Sequence, residues 1–219
     1  MITKRLLIAI TLIASLISIT VLTTAHANNL ASSDQPEYAV EQRPNGHLRI
    51  RVQVNLADRV ERDHYASRQR AEAMALARSG VGSVPVQITF VRPLSIAEMQ
   101  LLAQRTGLVA ELVIFEARDA NQGQHTVAVG GNGGDLVDLD SLSPDLEVRS
   151  LRLVGVTAMR GTVPASASGL GQLASDERIY IPDVTPYQLA VEVAARYGLS
   201  VDKVQVSVPT PHWYLSAER

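Results

Sequence analysis

Residues 86–117 read VQITFVRPLSIAEMQLLAQRTGLVAELVIFEA, and the fold class turns on them. Val86, Ile88 and Phe90 alternate with Gln87 and Thr89, a period of two that predicts a strand. Ser95-Ile96-Ala97-Glu98 then spells a capping box. The Ser95 hydroxyl takes the N3 amide while Glu98 reaches back to the N-cap amide. Leu94 and Met99 occupy staple positions, and Gly107-Leu108 supplies a left-handed exit from the helix. A second strand is expected over Leu112 to Ala117.

The same devices recur downstream. Ile179-Tyr180-Ile181 reads as a strand, and Thr185-Pro186-Tyr187-Gln188 as a capping box with proline at N1. Val184 and Leu189 form the second staple, and Arg196-Tyr197-Gly198-Leu199 the second exit. Val204, Val206 and Val208 alternate as the closing strand. The pattern Ala-x-Arg-x-Gly-Leu ends both helices, at Ala103–Leu108 and Ala194–Leu199. These two β-α-β halves, around 84–118 and 148–208, are either a duplication or convergent capping.

Working outward, Ile50, Val52, Val54 and Leu56 alternate with Arg49, Arg51, Gln53 and Asn55, which predicts a half-buried strand. Asp58 to Ser79 is expected to be a helix with Val60, Tyr65, Ala71, Met74 and Leu76 as its apolar face, stopped by Gly80 and Gly82. Between the two halves lie a strand over His125–Val129 and a Gly/Asp-rich loop over Gly130–Pro144. A long strand from about Val148 to Met159 and a short helix over Ala165–Ala174 follow. The expected class is α/β (α+β): a ferredoxin-like split β-α-β sandwich, its sheet covered by helices on one face. It is one extended sandwich or two small ones, spanning residues 47–208.

Residues 1–27 carry an address. Lys4 and Arg5 precede the uncharged apolar run Leu6–Leu22, and Ala25-His26-Ala27 gives the small-x-small pattern of signal cleavage. The alternative is a membrane anchor over residues 6–25, long enough to cross ~30 Å of hydrocarbon. Both readings export the remainder to the periplasm, the exterior or the outer side of a membrane. Residues 28–46, with Ser32-Ser33, Pro36, Pro44 and Asn45-Gly46, read as a flexible linker. Residues 209–219 read as a C-terminal tail.

Composition removes several function classes. The 219 residues include no cysteine, which excludes disulfides, zinc-thiolate sites and a thiol nucleophile. A formal charge of −2 leaves no large basic footprint for nucleic acid. No Gly-x-Ser-x-Gly elbow and no Gly-x-Gly-x-x-Gly loop is present. Ser166 and Ser168 read as a turn or helix start, and the pairs Arg49/Arg51 and Arg149/Arg152 as charge on strand edges.

Three constellations hold chemistry in principle. Gly130–Asp138 fits one calcium-binding nonapeptide, with Asp135, Asp138 and Asp140 as oxygen ligands; a single copy does not complete a site shared between turns. Glu61 and His64 stand at i, i+3, the spacing of half a metal pair, with solvated helix face as the plainer reading. Pro209-Thr210-Pro211-His212-Trp213-Tyr214-Leu215 holds the only tryptophan. Trp213 and Tyr214 either dock on the domain or form an aromatic contact site.

Residues 157–183, with Gly161, Leu170, Leu173, Asp176, Ile179 and Ile181, resemble the second half of subtilisin-type propeptide/inhibitor modules. That resemblance implies a ferredoxin-like fold and a binding or inhibitory role without catalytic residues. The leading expectation is therefore an exported, non-enzymatic module that binds a protein or cell-envelope component, with no cofactor. The alternatives are an exported hydrolase whose carboxylates and histidines meet only in three dimensions, and a calcium-stabilised surface protein.

Overall fold

Two sheets divide the strands of the computed structural model, which describes residues 36–130, 146 and 149–217. In chain order the first elements are β1 (Glu37–Gln42), β2 (Leu48–Gln53), α1 (Arg59–Leu76), β3 (Ser83–Leu94), α2 (Ile96–Thr106) and β4 (Val109–Arg118). Then come β5 (Gln124–Gly130), β6 (Arg152–Pro164), α3 (Leu170–Ser175) and β7 (Ile179–Asp183). The chain closes with α4 (Thr185–Tyr197), a 3₁₀ turn at Val201–Lys203, β8 (Val204–Ser207) and α5 (His212–Ala217). The architecture is a mixed α/β fold.

The larger sheet has the order β5-β4-β6-β3-β7, and every neighbouring pair in it is antiparallel. Strands β3 and β4, joined through α2, therefore lie on either side of β6. The smaller sheet has the order β1-β2-β8, antiparallel between β1 and β2 and parallel between β2 and β8. Residues read as a linker thus include a strand. Tyr38 and Val40 alternate with Glu37, Ala39 and Glu41, and Gly46 at φ +77° turns the chain back so that Val40 faces Ile50. The tail reading is revised in the same way, since His212–Ala217 is helical.

The first half forms as its sequence predicts. Ser95 Oγ accepts from Glu98 N at 3.2 Å, and Glu98 Oε2 accepts from Ser95 N at 2.8 Å. The Ser95 amide and the Ser95 hydroxyl, which also donates to Glu98 Oε2 at 2.8 Å, pull the Glu98 carboxyl down to about 2, with Arg92 beside them. Leu94 and Met99 are fully buried in one core with Val86, Ile88 and Phe90 of β3, Leu102 of α2 and Leu170 and Leu173 of α3. Burying each such side chain is worth about 1.5–3 kcal/mol before chain entropy is subtracted.

The second half shares the helix exit and little else. Gly107 at φ +68° and Gly198 at φ +65° both take the left-handed region, and the next residues close 6→1 bonds, Leu108 N to Ala103 O and Leu199 N to Ala194 O. At the helix start the two differ. The N-cap is Val184, no side chain caps it, and Thr185 is already helical. Val184 packs into the large core while Leu189 packs into the small one, so no staple joins them. Strand β7 belongs to the larger sheet and β8 to the smaller, and α4 crosses between them. The repeat is one of helix exits, not of topology.

Helix α1 departs furthest from its predicted face. Val60 is 78% exposed, whereas Arg62, Tyr65, Ala66, Gln69 and Ala73 are buried. The buried stripe keeps the helical period but includes Arg62, Gln69 and the Tyr65 hydroxyl, where α1 lies along the edge strand β7. Arg70 donates to Ala174 O at 2.6 Å and also to Ile179 O, and Gln69 Oε1 accepts from Val184 N at 3.0 Å. One of these groups, Ile179 O, lies on β7 itself, where a further strand would otherwise take it; Ala174 O belongs to α3 and Val184 N follows the strand.

Close backbone approach fixes Gly161, as it does Gly155 and Gly169. A Cβ on Gly161 in β6 would press into Val109 O of β4, whereas one on Gly82 meets nothing within 4 Å. Gly161→Ala is expected to cost about 2–4 kcal/mol in chemical denaturation, and Gly82→Ala less than about 1. Equal stability of the two variants would contradict the close approach.

Candidate functional site

After β8 the chain returns to the larger sheet. Gln87 of β3, on the side of the strand away from Val86 and Ile88, donates to Val208 O at 3.3 Å and to Pro209 O at 3.4 Å. Pro211 and His212 are buried, and α5 starts on Pro211 O, which accepts from Tyr214 N at 3.0 Å and Leu215 N at 3.2 Å. Thr210 Oγ1 pairs with His212 Nδ1 at 2.9 Å. Burial holds the His212 imidazole below its ordinary value, against the opposite pull of the Glu116 charge. A neutral His212 is thus an anchor.

What this anchor presents is aromatic. Trp213 is 45% exposed and Tyr214 41% exposed. The Trp213 ring stands 5.1 Å from His212, and the buried Arg62 guanidinium lies 6.0 Å from the Tyr214 ring centroid. The pair is therefore docked on one side and open on the other.

A second concentration of chemistry is buried between α1, β7 and α4. Tyr65 donates its hydroxyl to Asp183 Oδ2 at 2.7 Å and pairs with Thr185 Oγ1 at 2.9 Å. Asp183 Oδ1 accepts from Thr185 N at 2.9 Å. Burial pushes the Asp183 carboxyl up from 3.8 to about 6, although its hydrogen bonds to Tyr65 and Thr185 act the other way. Burial likewise raises Tyr65 well above the ordinary phenol range. Both groups are buried, and the cluster joins α1, β7 and α4.

The other candidate residues do not assemble. His125 Nε2 lies 2.9 Å from Asp119 Oδ2, and Asp119 also accepts from Asn121 N and Gly123 N at 2.8 Å. That bond to His125 is the main cause of the lowered Asp119 carboxyl, and the pair braces an exposed hairpin loop. Glu61 and His64 are both exposed beside a shallow pocket of about 200 Å³ that also touches Gln53, Asn55, Tyr65 and Arg68. Neither His64 nor His125 meets a buried carboxylate in a cleft, as the hydrolase reading requires. Ser166 Oγ accepts from Gly169 N at 3.1 Å and holds a turn. Arg51 pairs with Glu41 across the β1–β2 hairpin at 3.5 Å.

Among the described residues no group of three or more His, Asp or Glu side chains is placed to hold a metal ion. Asp135, Asp138 and Asp140 lie outside the described residues, as do Ala25, Ala27 and the apolar run. No described helix is long and apolar enough to cross a membrane. The residues behind the propeptide resemblance serve the core: Leu170, Leu173 and Ile179 are fully buried, Ile181 nearly so, and Asp176 binds Arg178 at 2.6 Å. The sequence analysis does not single out Asp183, Gln69 or Arg62; the helical spacing of positions 62, 65, 69 and 73 is a signal for Arg62 and Gln69, and Asp183 has none. The chain matches no protein-family model, no curated protein and no solved structure.

Two outcomes follow from the buried cluster. Tyr65→Phe leaves Asp183 with one partner fewer and is expected to cost about 2–4 kcal/mol by denaturant titration. With its carboxyl raised when folded, Asp183 binds more protons in the folded chain between about pH 4 and 6. Its contribution is fully present below that window and is lost as pH rises through about 6. Asp183→Asn is expected to flatten this part of the stability profile, read from melting temperature between pH 4 and 7. A profile identical to that of the parent would exclude a buried, titrating Asp183.

Proposed function

We propose that this chain is an exported, non-enzymatic binding module that contacts a protein or cell-envelope component through Trp213 and Tyr214. The observation that carries the reading is the half-open aromatic pair on α5, anchored from behind by buried Pro211 and His212. Large aromatic surface on a fixed backbone loses little entropy on binding, which is why Trp and Tyr dominate interface energetics. Export rests on Lys4, Arg5, the apolar run and Ala25-His26-Ala27. Cleavage after Ala27 leaves 219 − 27 = 192 residues.

The larger sheet is read here as a ferredoxin-like unit. Its two crossovers, β3-α2-β4 and β6-α3-β7, and the order β4-β6-β3-β7 support that reading, with β5 added outside β4. A binding or inhibitory role of the kind the propeptide resemblance implies is compatible with the same surface.

Trp213 is the only tryptophan, so its fluorescence reports on the contact directly. Titration with solubilised cell-envelope fractions is expected to shift its emission to the blue. Retention on the immobilised fraction is expected to fall at least tenfold, about 1.4 kcal/mol, in Trp213→Ala and Tyr214→Ala. Retention unchanged in both folded variants would overturn the assignment of the contact.

A further inference from the structure

Each sheet edge in this fold meets a different fate. The outer edge of β7 is covered by α1, whose Arg70 donates to Ile179 O. Strand β1 carries Glu37 and Glu41, with Glu41 paired to Arg51. Strand β8 has only four residues. Among the described residues β5 has none of these protections: its seven residues, Gln124-His125-Thr126-Val127-Ala128-Val129-Gly130, contain no proline, lysine, arginine or carboxylate. Among the described residues it pairs only with β4.

The backbone phase of that edge follows from the hairpin. Asp119 N donates to Gly123 O at 3.1 Å, and the β4–β5 register runs without a shift from Arg118↔Gln124 to Leu112↔Gly130. Hydrogen-bonded pairs alternate in an antiparallel ladder. His125, Val127 and Val129 therefore direct their backbone groups to β4, while Gln124, Thr126, Ala128 and Gly130 turn theirs outward. Thr126, Ala128 and Gly130 are exposed, and Val127 and Val129 pack against the large core but are only partly buried.

We propose that β5 pairs edge to edge with β5 of a second copy of this chain, antiparallel and centred on Val127. A two-fold axis at Val127 sets Thr126 opposite Ala128 and Gln124 opposite Gly130, the residues whose backbone groups point outward. All seven positions then find a partner. Val127 meets its own counterpart and His125 meets Val129, so the half-covered valines are enclosed on the core side. A neutral strand brings no like charges together in this register, and like charges directly opposite are what self-pairing must avoid. The partner that fits is an uncharged extended strand, and β5 itself has that chemistry.

The cysteine-free full chain makes the test direct. At the centre of the proposed register, cross-strand Cα atoms stand about 4.5 Å apart, within reach of a disulfide. Val127→Cys is expected to form an intermolecular disulfide under mild oxidation at least tenfold faster than Val60→Cys, an exposed control on α1. In sedimentation velocity, with mild detergent where the apolar N-terminus is retained, the parent chain is expected to dimerise with concentration. Thr126→Lys and Ala128→Lys, two independent edge substitutions, are each expected to weaken that association at least tenfold while the melting temperature moves by less than about 2 °C. A monomer up to roughly 100 μM, where a micromolar dimer is saturated, overturns the proposal. So do crosslinking no faster at Val127→Cys than at Val60→Cys, a dimer indifferent to both lysines, and a monomer that takes up an unrelated extended peptide at this edge.

Discussion

A sheet cannot simply end in the interior of a protein, because the last strand carries unpaired amide and carbonyl groups. At β7 this constraint is met by α1, and much of the remaining structure depends on how. Tyr65, Gln69 and Arg70 lie on one side of the helix and reach Asp183, the amide of Val184 and the carbonyls of Ala174 and Ile179. An apolar stripe on α1 would cover β7 and leave those groups dry. Polar residues at the same spacing cover and satisfy them together. The bonds also hold the point where the chain leaves the larger sheet, since α4 begins two residues after Asp183. One helix thus terminates a sheet and sets the direction of the next element.

A buried carboxylate is a poor source of net stability, because taking its charge out of water costs several kcal/mol. Asp183 softens that cost by sitting among donors and by titrating near 6. What the arrangement supplies is geometric definition. An oxygen that must meet Tyr65 and another that must meet the Thr185 amide tolerate little sliding of α1 along β7. Loss of one partner strands the others, so the cluster acts as a unit. The smaller sheet inherits this definition. Its parallel pair β2–β8 joins residues from opposite ends of the described chain, a long-range contact whose loop-closure cost is lower when the larger sheet holds the two segments near.

Legibility in the sequence followed the chemistry of each signal. Ser95, Glu98, Gly107 and Gly198 act through backbone groups within a few residues, so local pattern sufficed, and the alternation of Val86, Ile88 and Phe90 marked the core face of β3. Thr185 opened the same kind of capping pattern as Ser95 and did something else, because Tyr65, far off in the chain, pairs with its hydroxyl and Asp183, two residues before it, accepts from its amide. Val60 was read into the apolar face on polarity alone, yet it is exposed and Arg62 is buried, because the neighbour of α1 is a strand edge instead of a greasy sheet face. Strand β1 was lost among the turn signals on either side of it. Fold class was therefore readable where interactions were local. The placement of Trp213, which depends on a return to β3 from beyond the second sheet, was not.

That return bears on how any contact at the chain terminus behaves. Trp213 and Tyr214 sit at the end of a relay: β7 directs α4, α4 packs on β2, β8 completes the small sheet, and Gln87 then receives the chain on β3. Each link is short-range, yet together they make the position of two aromatic rings contingent on both sheets. Loosening Asp183 would consequently reach α5 without any direct contact between them. The rings need this support because α5 has only six residues, too few to be helical alone in water. Pro211 and His212 supply it by burying the start of the helix that carries Trp213.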